Sequence, residues 1–260
     1  MKMISQIYEV QSPEEAAEIS ALGVDHIGSV VLDKNNFLKD ESLKNTVLEV
    51  KSLKKKSSII PLFSSFEDIM KLIDFLEPDI LHFCESLIYE SDYKEKKSCD
   101  FFFELQNKLK TRNRSLNIMR SIPLASEKSS LNEKELLRSK IEFFISVFSE
   151  TSNFFLTDTF FTQGNDKQPV PGFVGITGQL CDLEGAKFLV DKSKIPVILA
   201  GGLSPDNVFE AALKVRPYGL DSCSNTNIND DSGKSIRFKK DTKKVKKFVE
   251  EIKRAEKYLG

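Results

Sequence analysis

The chain has 260 residues, 40% hydrophobic and 30% charged, and its 38 Lys+Arg against 39 Asp+Glu give a formal net charge of −1. That balance offers no electrostatic basis for a nucleic-acid or membrane-surface partner, and no stretch approaches the ~20 apolar residues of a spanning helix. Cys84, Cys99, Cys181 and Cys223 lack metal-ligand spacing and "MKMISQIYEVQSPEEA" lacks a signal-peptide pattern; together they predict reduced thiols in a cytoplasmic protein with no metal and no cofactor.

Strand-like runs at 5–10, 26–31, 57–63, 79–83, 116–122, 153–157, 195–200 and 218–222 alternate with helical segments near 13–22, 40–55, 66–76, 92–110, 131–150, 182–192, 205–214 and 241–258. Ser12-Pro13-Glu14-Glu15, Ser65 and Ser204-Pro205-Asp206 carry helix-opening chemistry, and Gly23 stands where a C-cap glycine belongs. Eight β-then-α units over residues 1–260 fit an α/β fold: a single-domain (β/α)8 barrel, for which ~250 residues is typical. A doubly wound open sheet is the competing architecture. The longest connections, 158–181 and 223–240, would lie at the C-terminal mouth of a barrel, where active sites are built.

Residues 196–208 read "PVILAGGLSPDNV", a buried strand running into Gly201-Gly202 and then a helix start. A glycine pair there lets backbone amides approach a phosphate near a helix N-terminus. It equally suits a tight turn that needs positive φ, and the dipeptide alone leaves both readings open.

From Leu199 to Asp221 the sequence resembles the C-terminal signature of the phosphoribosylanthranilate isomerase family, in which strand 7 ends L-A-G-G-L-x-P-x-N-V. "SPEEAAEISALGVDHIG", "PDILHFCE", "MRSIPL", "FLTDT" and "GITGQLCDL" extend that resemblance over almost the whole chain. It implies a (β/α)8 isomerase of tryptophan biosynthesis that opens a phosphorylated aminoribose and moves a proton from C2, an Amadori rearrangement. It further implies that Gly201, Gly202 and the Ser224-Asn225 loop hold the phosphate of a small metabolite, and that Asp158 is the general acid. The family includes monomers and homodimers.

The sequence departs from the family pattern around the site. The family's basic cysteine on strand 1 is replaced by Tyr8, its lysine by Gln6 and its glycine by Glu9, and only Lys34 stands near its arginine after strand 2. A phenol is a poor base unless a cation depresses its pKa of about 10. His82 and Cys84, two apart on strand 4, share a face and form either a proton-transfer pair or barrel filling. Asp221 shares a face with Cys223 and reads as structural. Arg120 on strand 5 is expected to face Asp158 or a substrate anion, and His26 reads as a satisfied wall residue. Besides the isomerase, the alternatives are a different phosphosugar lyase, aldolase or epimerase, or a non-catalytic phosphate-ligand-binding paralogue.

Overall fold

The computed structural model describes residues 2–89, 91–161 and 168–260. Eight parallel strands pair in chain order: β1 (Ile4–Ile7), β2 (His26–Val31), β3 (Lys56–Pro61), β4 (Ile80–Phe83), β5 (Asn117–Leu124), β6 (Phe154–Thr159), β7 (Val197–Leu199) and β8 (Gly219–Ser222). β1 also pairs with β8, from Ile4↔Gly219 to Ile7↔Ser222, and this closes the barrel. The open-sheet alternative is thereby excluded. Outside the strands lie α1 (Pro13–Ala21), α2 (Glu41–Ser52), α3 (Phe66–Leu76), α4 (Asp92–Arg112), α5 (Leu131–Phe148), α6 (Leu183–Lys192), α7 (Val208–Val215) and α8 (Thr242–Tyr258).

The period-2 alternation of strand side chains sorts the core into two layers. Tyr8, Ile80, Met119, Leu156 and Ile198 point into the barrel. Ile7, Ile27, Ile59, Phe83, Phe155 and Leu199 point outward, against the helices. Among the described residues, no helix is long and apolar enough to cross a membrane.

The caps follow local chemistry. The Ser12 and Ser65 hydroxyls accept from the amides of Glu15 and Asp68, and Ser130 forms a capping box with Glu133. Gly23 has φ +97°, as a C-cap glycine requires. Ser204 behaves differently. Its amide donates to Asn207 Oδ1 at 2.8 Å, Asn207 Nδ2 donates to the Gly202 carbonyl at 3.1 Å, and α7 begins only at Val208. The Asn207 side chain, at the N-cap of α7, thus ties down the glycine turn instead of capping the helix, which starts three residues later than the sequence predicts.

Both long connections carry structure. The stretch after β8 forms a short helical turn at Ser224–Thr226 and then an antiparallel hairpin of β9 (Asn227–Asn229) and β10 (Ser235–Lys240). Of the predicted 158–181 connection, residues 162–167 lie outside the described residues, and the rest crosses the barrel mouth as a strap. The Val174 amide donates to the Cys84 carbonyl at 2.8 Å, the Ser86 amide to the Gly172 carbonyl at 2.7 Å and the Cys181 amide to the Gly201 carbonyl at 3.1 Å.

The strap explains the glycine pair. Gly201 and Gly202 have φ of +89° and +69°, and a Cβ on Gly202 would sit 2.2–2.4 Å from backbone atoms of Gln179 and Leu180. A Cβ on Gly201 would sit 2.7 Å from Thr159 Oγ1. The turn does need positive φ, and the bare α-carbons face the strap rather than a ligand. Gly202→Ala is therefore expected to destabilise the fold by at least the ~1–3 kcal/mol of a strained backbone, measurable as a lower urea midpoint.

Candidate active site

Two hydrogen-bond chains cross the barrel interior. In the first, Tyr8 Oη lies 2.6 Å from Ser58 Oγ and 2.7 Å from His82 Nδ1, and His82 Nε2 lies 2.8 Å from Ser121 Oγ. In the second, Gln6 Oε1 lies 3.1 Å from His26 Nδ1, and Gln6 Nε2 donates to Asp221 Oδ1 at 3.0 Å. Tyr8 fits because its neighbour on β2 is Gly28, where a Cβ would lie 2.1 Å from the tyrosine ring.

Burial sets the protonation states along these chains. The Tyr8 phenol is pushed well above its ordinary value, first by desolvation, against a hydrogen bond to Ser58 that lowers it. His82 is held down to about 3 by burial and then by the Arg120 charge, and His26 to about 4, mainly by burial. The Cys84 thiol is raised by burial and by Glu85 and Asp158. His82 and Cys84 do share a face and line one cavity, but both imidazole nitrogens are already partnered and both pKa shifts oppose an imidazolium–thiolate pair. Of the two readings open for this pair, these partners and shifts favour barrel filling and hydrogen bonding.

Asp158 and Asp221 lie at the mouth ends of β6 and β8 and border the same cavities. Asp158 Oδ1 accepts from the Thr159 amide at 2.8 Å, and a Cβ on Gly175 of the strap would lie 2.1 Å from Asp158 Oδ2. This desolvation lifts Asp158 to about 7 against the Thr159 hydrogen bond. Burial likewise lifts Asp221 to about 8, opposed by the Gln6 hydrogen bond and reinforced by Asp158. Asp221, read from the sequence as structural, shares these cavities with Asp158, a neighbourhood visible only once β8 is in register.

Both carboxyls line two adjoining cavities. One, of about 50 Å³, is walled by Tyr8, Ile60, Leu62 and Phe173. The other, of about 30 Å³, is walled by Gly201, Gly202, Leu203, Ser224 and Asn225. Ile176 borders both cavities and has φ +60°, a conformation that strains a β-branched residue. Among the described residues, the amides of Gly202, Leu203, Ser224 and Asn225 donate to no other protein group. The Asn225 side chain is engaged, its Nδ2 donating to the Gly202 carbonyl at 2.9 Å. These loops and the short helical turn after β8 meet as phosphate sites do in such barrels. α7 contributes less than the sequence suggests, because the Ser204 and Asp206 amides are already taken, by Asn207 and by Ser204 Oγ.

Arg120 requires a correction. Register pairs Ser121 with Leu156 and Pro123 with Asp158, so the odd positions of β5 face inward and Arg120 faces out. It is fully buried beside the helices, with Nη1 2.5 Å from Glu85 Oε2. It meets neither Asp158 nor the phosphate loops. Glu9, at φ +65° and 1% exposed, borders the first cavity with its carboxylate engaged by the hairpin. Its oxygens accept from Arg237 Nε at 2.6 Å and Asn227 Nδ2 at 3.2 Å, which fastens the β9–β10 hairpin to the end of β1. Among the described residues no group of three or more His, Cys, Asp or Glu side chains is arranged to hold a metal ion.

Fold and site thus define a (β/α)8 barrel with an acidic pair under a backbone strap and free amides beyond strands 7 and 8. Residues 125–251 match the family model for N-(5'-phosphoribosyl)anthranilate (PRA) isomerase. The chain is 24% identical over 254 residues to the N-(5'-phosphoribosyl)anthranilate isomerase of Sulfurihydrogenibium sp., covering 96% of this chain and 99% of that protein. It is 38% identical over 90 residues to N-(5'-phosphoribosyl)anthranilate isomerase 1 of Methanosarcina mazei, an alignment spanning 35% of each chain. The structure of the Pyrococcus furiosus isomerase superposes with a TM-score of 0.65 at 19% identity, covering 97% of this chain and 100% of that one, a likeness of fold. The chain is similar to phosphoribosylanthranilate isomerases, most strongly over its C-terminal half and at lower identity over nearly its whole length.

The buried titratable groups give a signed pH dependence. Asp158 and Asp221 bind protons more tightly folded than unfolded, so their stabilisation is complete below the unfolded value of about 4. It is lost as pH rises through about 7 and about 8. His26 and His82 run the other way. Their contribution is present above the unfolded value of about 6.5 and is lost as pH falls toward about 4 and about 3. Below about pH 6.5 the two pairs oppose each other, and above it only the carboxyls act. Urea unfolding should therefore show stability declining between about pH 6.5 and 8, and the decline should vanish in Asp158→Asn/Asp221→Asn.

Proposed function

We propose that this protein isomerises a phosphorylated aminosugar by acid–base chemistry, the phosphoribosylanthranilate rearrangement, with Asp158 as acid and Asp221 as base. The observation that carries this reading is the pair itself: two carboxyls bordering the same cavities, both lifted by burial to where a proton can be given and taken near neutral pH. Asp158 gives its proton to the ring oxygen as the C1–O bond breaks and the nitrogen lone pair forms a C=N⁺ bond. Asp221 takes the proton from C2, the C–H electron pair becomes the C1–C2 double bond, and the nitrogen recovers its lone pair. The resulting enol relaxes to the ketone at C2. Asp221 acts in its ionised form, its proton having passed to solvent before the substrate fills the cavity, and the positive nitrogen that forms beside it favours that form.

Tyr8, His82 and Cys84 are less suited as the base, since the tyrosine and cysteine are raised and the histidine is doubly hydrogen-bonded. The phosphate would take the free amides of Gly202, Leu203, Ser224 and Asn225, with the Gly201 turn as support. A substrate of this size would have to displace Ile176 and join the two cavities.

Asp158→Asn and Asp221→Asn are each expected to lower kcat by about 10²–10⁴-fold, whereas Tyr8→Phe stays within about tenfold. A steady-state assay with phosphoribosylanthranilate, backed by growth of a tryptophan auxotroph lacking the isomerase, reads both. Full activity in Asp221→Asn removes it as the base. Absence of turnover and growth, with a melting temperature still raised by sugar phosphates, redirects the reading to another phosphorylated sugar.

A further inference from the structure

Arg120 lies among apolar residues, yet it is charged. Its guanidinium carbon lies 4.6, 4.9 and 5.6 Å from the ring centres of Phe102, Phe148 and Phe83. Its carboxylate partner is Glu85. Arg120 Nε and Nη2 and Glu85 Oε1 are buried without a hydrogen-bond partner. A buried pair this incompletely satisfied is a poor source of stability, because well-packed apolar residues of similar volume often serve as well or better. What the pair does supply is a fixed position for Glu85.

That position matters because Glu85 begins the chain of contacts that holds the strap. Glu85 bridges to Phe173 in antiparallel fashion, the Ser86 amide donates to the Gly172 carbonyl, and the Val174 amide donates to the Cys84 carbonyl. The next strap residue is Gly175. Its amide donates to the Thr159 carbonyl at 3.3 Å, and its α-carbon lies over the Asp158 carboxyl. We propose that the Arg120–Glu85 ion pair is a positioning device: it holds the end of β4, and through it the strap that shields Asp158 from water.

This inference rests on Asp158 as the catalytic acid for its functional meaning, but the coupling is a property of the folded protein and is read without turnover. The ionisable groups around Asp158 are Cys84 from β4, Cys181 from the strap, Asp221 from β8 and Cys223 beyond it. Asp158 lies in no ion pair with a cation among the described residues.

The test is a pH titration of the Asp158 carboxyl by ¹³C NMR, with the resonance assigned by Asp158→Asn. In Arg120→Met, Glu85 loses its counter-charge. The expected result is a fall in the Asp158 pKa large enough to raise its acid dissociation constant at least tenfold. Loss of a nearby positive charge without strap movement would raise that pKa instead, so the sign separates release of the strap from a through-space effect. In Arg120→Met/Glu85→Met both charges are gone and no orphan charge threatens the fold; the Asp158 pKa should again fall, with faster hydrogen exchange at the Val174 amide. If neither variant folds, Arg120→Lys keeps the charge but loses the planar fork, and an intermediate fall is expected. An Asp158 pKa unchanged or raised in the folded variants overturns the proposal, whatever the wild-type protein does to phosphoribosylanthranilate.

Discussion

Residues 172–182 lie on the barrel mouth with backbone in direct contact at two points. Gly175 covers the Asp158 carboxyl, and Gln179-Leu180 presses on Gly202. The first contact removes water from a carboxyl that lies in no ion pair among the described residues. The second makes the glycine pair obligatory and presents the amides after β7 to the inner cavity. The raised pKa of Asp158 and the shape of the turn after β7 therefore depend on the same few residues of strap.

The interior beneath the mouth is organised to keep charge away from everything except that pair. Tyr8, Ser58, His82 and Ser121 satisfy one another around the barrel. Desolvation keeps the phenol and the imidazole neutral. Gly28 makes room for the tyrosine ring, so a bulky group on β1 is accommodated by removal of a side chain on β2. Gln6 performs the parallel task lower down, joining His26 to Asp221 and orienting that carboxyl without neutralising it. A lysine in place of Gln6 would put a charge against Asp221 and pull its pKa down, so the neutral amide is what allows Asp221 to titrate near neutrality.

The hairpin after β8 is tied to the same region from outside. Arg237 and Asn227 hold Glu9, and the Lys240 ammonium reaches the Cys223 carbonyl at 2.9 Å and the Asn227 side chain. Glu9 adopts positive φ to make these contacts. The departure from glycine at this position thus has a structural partner in the hairpin.

Sequence alone determined the order of eight strand–helix units and most of their positions, because alternating periods of 2.0 and 3.6, capping serines and glycine stops are local properties of the chain, whereas closure into a barrel was decided by the pairing of β1 with β8. The sequence also drew attention to Asp158 and to the loops at 201–202 and 224–225, because those residues are contiguous with recognisable strand ends. Which face each strand residue takes depends on closure and register, and these depend on contacts between residues far apart in the chain. Arg120 faces the helices and Asp221 faces Asp158 for that reason, and neither could be read from neighbouring letters. The pKa values that separate Asp158 and Asp221 from Tyr8, His82 and Cys84 are set by desolvation and by partners from other strands. They exist only once tertiary packing has excluded the water.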